Sequence, residues 1–150
     1  MPIFETSFTV KAALADVAAF HDDTRALKKL NPPPIVVQLH RVDPLGEGSV
    51  SEFTLWLGPL PIRWQAVHSD VGPYGFTDTQ ASGPLAYWAH THSFTAVDAQ
   101  TTRVHERIVY TYALGLKGLF SRLLFGKAGL TFLFAYRAWA TRRAVERVPQ

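Results

Sequence analysis

The chain has 150 residues, 47% apolar and 18% charged, with a formal net charge of +3 from 15 basic and 12 acidic side chains. This length and mix suit one globular domain over residues 1–150 with its own core, and exclude a disordered chain. With no cysteine, disulfides, thiolate nucleophiles and thiolate metal sites are excluded, which fits a cytoplasmic protein.

The opening MPIFETSFTV has neither a basic segment nor a long apolar run, so it does not read as a signal peptide. Within it, Phe4, Thr6, Phe8 and Val10 alternate as a first strand. Leu14, Val17 and Phe20 then recur at helical spacing. Thr24 is placed to cap a second short helix, which the run Asn31-Pro32-Pro33-Pro34 stops near Leu30. Six further strands are expected near 35–43, 49–57, 62–71, 75–81, 86–97 and 102–113, separated by turn signals such as Gly58-Pro59, Gly72-Pro73 and Gly83-Pro84.

From Leu116 to Val148 the composition is helical, with Gly126 and Gly129 as breaks. Leu119, Leu123, Leu130, Phe134 and Ala138 lie along one stripe expected to face the sheet. Arg137, Arg142, Arg143 and Arg147 read as the solvated face of that helix rather than as a nucleic-acid surface. No stretch reaches about 18 uncharged apolar residues, so stable membrane insertion is not expected. The dense run from Leu119 to Gly126 reads as a pocket lid or a homodimer contact, ahead of a membrane-docking edge.

The order is one strand, two short helices, six strands and a long helix. A meander of this kind must cover its apolar face, and only the last helix is long enough to do so. The expected fold is therefore α+β: a curved antiparallel sheet of about seven strands wrapped around the C-terminal helix. Ten Phe, four Trp and five Tyr exceed what so short a chain needs to fill a core. The surplus rings are expected to wall a pocket for a small, largely apolar ligand.

Strand alternation gives that pocket a polar end. Trp88, His90, His92, Phe94 and Ala96 share one face of their strand, with Phe76, Asp78 and Gln80 on the strand before. Val104, Glu106, Ile108, Tyr110 and Tyr112 share a face of the strand after. Trp64 belongs to the same covered surface, with Ala66 and His68. Trp56 is left unassigned between two faces, and His21, His40 and His105 look peripheral. The expected ligand-binding set is thus Trp64, Phe76, Asp78, Gln80, Trp88, His90, His92, Phe94, Glu106 and Tyr110.

Buried acids and histidines must pair, because an isolated buried charge costs several kcal/mol. Three readings stay open. The cluster braces the sheet, or it recognises a ligand, or His90 and His92 with Glu106 transfer protons as catalytic residues. His90 and His92 with Glu106 or Asp78 have the atoms for a metal, but no metal and no other cofactor is assigned. No nucleotide-binding or serine-hydrolase pattern is present.

The segment from Phe76 to Phe94 carries F-x-D-x-Q-x-x-G-P followed by W-x-H-x-H-x-F, and Glu106-Arg-Ile108-Val-Tyr110 follows. These motifs, with Gly58-Pro59-Leu-Pro61-Ile-Arg63-Trp64 and Phe134-Ala-Tyr136-Arg137, resemble the START/Bet v 1-like superfamily. Within it they resemble the bacterial cyclase/dehydrase-like, lipid transport-like SRPBCC proteins. The resemblance covers nearly the whole chain. It implies the helix-grip fold and a ligand-holding domain, and it does not single out a reaction, because that superfamily spans carriers, receptors and cyclases.

Overall fold

The computed structural model describes residues 1–146. Strand β1 (Ile3–Val10) leads into helix α1 (Leu14–Asp22), a 3-10 turn (Thr24–Ala26) and helix α2 (Leu27–Leu30). Six strands follow in series: β2 (Ile35–Val42), β3 (Val50–Leu57), β4 (Leu60–Gly72), β5 (Gly75–Ser82), β6 (Tyr87–Asp98) and β7 (Thr101–Thr111). Helices α3 (Gly115–Phe125) and α4 (Lys127–Val145) close the fold. The expected end of the last helix at Val148 lies outside the described residues.

All seven strands form one antiparallel sheet in the order β1-β7-β6-β5-β4-β3-β2. The expected helix-grip architecture is what the structure shows. Irregularities in register at two points between β4 and β5 and near the ends of β2 and β6 add curvature, so one face becomes concave. Leu130 and Phe134 of α4, 0% and 2% exposed, pack into that face with Trp64, Trp88 and Ile108. Burying an aliphatic side chain this fully is worth about 2–3 kcal/mol. A smaller cluster of Val10, Val17, Phe94 and Val104 fastens α1 to the sheet.

Two sequence expectations are corrected, the Thr24 cap and the inward stripe of the C-terminal segment, while the expected break at Gly126 is present. Thr24 does not cap the second helix. Asp23 accepts the Arg25 backbone N–H at 3.0 Å, and Thr24 Oγ1 instead bonds Ser51 Oγ at 2.8 Å. The C-terminal segment is two helices bent by 46° at Gly126. The stripe meant for the sheet splits at that bend. Leu130 and Phe134 face inward, but Leu119 and Leu123 are 68% and 78% exposed. The buried face of α3 is Gly118, Ser121 and Phe125. A Cβ at Gly118 would stand 1.7 Å from the Ala113 carbonyl oxygen, so the start of α3 sits too close to the preceding strand exit for a side chain at that position.

Candidate functional site

The concave face and the two C-terminal helices enclose a cavity of about 370 Å³. Its walls are mostly apolar. Phe53, Ile62, Trp64 and Trp88 come from the sheet, Leu27 from α2, and Leu124 and Phe125 from α3. The Trp64 ring meets Trp88 edge-on at 5.4 Å and stacks near Phe53 at 6.1 Å, so the aromatic wall is rigid and internally packed. Trp56 turns to the convex side, where its Nε1 donates to Gln38 Oε1 at 2.9 Å.

At one end Asp78, His90 and His92 reach the cavity with His21, His68 and Arg137. The pairing of β5, β6 and β7 brings the first three together with Glu106. Phe76 lies opposite His92, which lies opposite Glu106, and Asp78 lies opposite His90. The hydrogen bonds run diagonally across these rungs. His90 Nε2 donates to Glu106 Oε2 at 2.6 Å, and His92 Nε2 donates to Asp78 Oδ2 at 2.9 Å. His92 Nδ1 also lies 3.0 Å from Glu106 Oε2. The two imidazole rings lie 3.8 Å apart, tilted by 34°, and Phe76 stacks on His92 at 4.4 Å.

Gly75 allows this approach. It has φ +142°, and a Cβ there would lie 1.9 Å from the His92 carbonyl oxygen. No other residue admits β5 this close to β6 at that backbone angle.

Charge in the cluster is set by two opposing effects. Burial alone would lower His92, but the Glu106 charge and the bonds to Asp78 and Glu106 outweigh it and push the imidazole up to about 9. Burial lowers His90, with the neighbouring His92 charge acting in the same direction. Burial raises Glu106 and Asp78, yet the histidines hold both below the ordinary carboxylate range, Glu106 well below it. Near neutral pH the cluster is one imidazolium, one neutral imidazole and two carboxylates.

Of the expected site residues, Trp64, Phe76, Asp78, Trp88, His90 and His92 line the cavity. Four do not. Glu106 is 3% exposed and lies behind the histidines. Gln80 is used by the turn that follows it, donating to the Leu85 carbonyl at 2.7 Å and accepting the Leu85 N–H at 3.2 Å. Phe94 belongs to the cluster under α1, and Tyr110 is buried beside Trp88 in the main core. Ala96, expected on the covered face, is exposed where β6 runs past the helices.

Two cavity residues were placed on the outside by sequence reasoning. His21 is buried, with its Nδ1 donating to the Val17 carbonyl at 2.9 Å and its ring 5.9 Å from His92. Burial lowers it to about 4, so it is neutral. Arg137 turns inward over the Phe134 ring at 5.1 Å, and its Nε is sealed without a hydrogen-bond partner among the described residues. Both positions carried a signal. Val17 and His21 are four apart, and Leu130, Phe134, Arg137 and Thr141 follow one helical stripe.

The polar atoms could also hold an ion. His21, His92 and Glu106 offer ligand atoms within 4.8 Å of one another, as do Asp78, His90 and His92. The pairings already described satisfy most of these atoms within the protein, and the half-buried cation Arg137 disfavours a second cation nearby.

No protein-family model matches the chain, and no curated protein matches it. Solved structures do. The chain is similar to the Zhui aromatase/cyclase from a Streptomyces species, with 17% identity and TM-score 0.73 over 97% of this chain and 94% of that one. It is similar to a START superfamily protein from Mycobacterium smegmatis, with 14% identity and TM-score 0.71 over 96% and 97%. It is also similar to norcoclaurine synthase from Thalictrum flavum, solved with dopamine and hydroxybenzaldehyde, with 14% identity and TM-score 0.67 over 99% and 89%. The fold is that of the START/Bet v 1-like superfamily.

Proposed function

We propose that this chain binds a small, largely apolar molecule of lipid, polyketide or isoprenoid type in the cavity, with an oxygen of the ligand at the polar end. The observation that supports this best is the cavity itself. A volume of about 370 Å³ is within the range of small-molecule sites, and the walls are largely aromatic and aliphatic. A protein that needed only a core would fill that space, since each unfilled cavity costs stability. Similarity to proteins named as a START superfamily member, an aromatase/cyclase and a synthase solved with two small aromatic molecules points the same way.

A second reading is favoured by the charge arrangement. His92 presents an imidazolium and His90 a neutral imidazole at the cavity wall, with Asp78 beside them. A proton donor and a proton acceptor on one wall suit proton transfer next to a carbonyl, as in cyclisation or dehydration.

Binding of the apolar dye anilinonaphthalene sulfonate tests the first reading. The protein should enhance dye fluorescence, and Ala66→Phe, which fills the cavity wall, should weaken binding at least about tenfold. Unchanged binding with the cavity filled sinks the proposal. For the second reading, His92→Gln should abolish turnover of any substrate found by co-purification while leaving its binding in place.

A further inference from the structure

The outward side of α3 is apolar where a solvated helix would be polar. Leu116, Leu119 and Leu123 recur at helical spacing on the side opposite Gly118, Ser121 and Phe125, and are 87%, 68% and 78% exposed. Leu114, just ahead of the helix, is 93% exposed, and Phe132 on α4 is 64% exposed. Large side chains rarely cluster this way on a face that meets only water. Leu123 and Phe132 also line the cavity, so the apolar surface runs unbroken into its mouth.

Charge selects what covers this surface. No Asp or Glu occurs between Arg107 and Val145, while Lys117, Arg122 and Lys127 stand exposed beside the leucines. The Arg122 guanidinium rests on the Tyr112 ring at 5.2 Å, which holds it at the edge of the patch. A two-fold contact between copies of this chain would set that basic rim against itself. An anionic lipid surface satisfies the leucines and the basic rim together.

We infer that α3 and the start of α4 dock on an anionic bilayer, with Leu114, Leu116 and Leu119 at the headgroup–acyl boundary and the cavity mouth facing the membrane. Docking is interfacial. Eleven residues of helix span about 16 Å, half of a hydrocarbon core, and no single helix of the described chain is long and apolar enough to cross. The inference rests on the proposed ligand cavity only for the meaning of the mouth's direction.

Co-sedimentation of the full chain with vesicles of phosphatidylcholine plus phosphatidylglycerol, against phosphatidylcholine alone, measures the partition. Each basic residue near an anionic surface contributes about fivefold, so three give roughly a hundredfold preference, which salt should erode. The double variant Leu116→Asp, Leu119→Asp should lose at least about tenfold in binding with an unchanged circular dichroism spectrum, because both side chains stand clear of the core. Lys117→Glu should lose several-fold on anionic vesicles only. The inference is overturned by equal binding of the leucine variant, by absence of anionic preference, or by a dimer in light scattering that Leu116→Asp dissociates. Dye binding to the cavity is measured without vesicles, so failure of the vesicle assay leaves the cavity reading standing.

Discussion

Raising the pH from about 6.5 to 9 should weaken the fold through His92. Its imidazole lies between Asp78 at 2.9 Å and Glu106 at 3.0 Å, and it is 7% exposed. Burial opposes the charge, but the carboxylates prevail and move the group from 6.5 to about 9. The folded chain therefore holds this proton more tightly than the unfolded chain does. Its contribution is fully present below about 6.5 and is lost as the pH rises through 9. By linkage a displacement of that size is worth about 3 kcal/mol, a large part of the 5–15 kcal/mol typical of whole domains. The perturbation that isolates it is Glu106→Gln, which removes the larger of the two supporting charges and leaves Asp78 in place. Urea unfolding across this window should show the parent protein losing about 3 kcal/mol. The Glu106→Gln protein, less stable throughout, should lose on the order of 1 kcal/mol over the same window. Parallel curves for the two proteins, or a flat parent curve, would refute the assignment of the proton to His92.

On the acid side His21 acts with the opposite sign. Buried neutral at about 4 against 6.5 when unfolded, it adds stability above about 6.5 that is lost as the pH falls toward 4. Calorimetric melting of His21→Phe should show a shallower decline between those pH values than the parent protein. Phe134→Ala removes a ring that is 2% exposed and touches Phe4 and His90, and should cost about 3–5 kcal/mol in urea unfolding with little change in slope. Gly75→Ala puts a Cβ against the His92 carbonyl at a positive φ. It should cost at least about 1–3 kcal/mol and shift the His92 ring resonances, and an unperturbed His92 spectrum would show that β5 can retreat without disturbing the cluster.

The sheet was legible because its side-chain period is two. Once His90 and His92 are put on the ring-bearing face of β6, the same rule places Phe76 and Asp78 on β5 and Glu106 on β7 inward, and the structure sets them side by side. Helical faces were read less well, because hydrophobicity alone selects the wrong side of α3. Two of its three inward residues, Gly118 and Ser121, are small where the helix lies against the chain leaving β7, only Phe125 at its end is a large inward group, and Leu116, Leu119 and Leu123 point away. Arg137 was assigned to solvent for its charge. Its position on the Leu130–Phe134 stripe outweighs that charge, and the Phe134 ring receives the guanidinium. His21 was missed because α1 is short and its apolar residues were weighted above its spacing from Val17.

The diagonal bonding of the cluster limits what it can do. If each imidazole bonded the carboxylate directly opposite, two separate pairs would result, and either could be lost without the other. Instead His90 of one rung bonds Glu106 of the next, and His92 bonds Asp78 back across it. Both bonds hold only in this register, and a slip of β6 by one residue would turn both histidines to the convex face. The cluster therefore specifies strand pairing whatever else it does. Its depth is graded as well. Glu106 never reaches the cavity, whereas Asp78, His90 and His92 do. A ligand would meet the two imidazoles and Asp78, while Glu106 sets their charge from behind. Substituting Glu106 should then alter proton affinity at the wall before it alters contacts to a ligand, and substituting Asp78 should alter both.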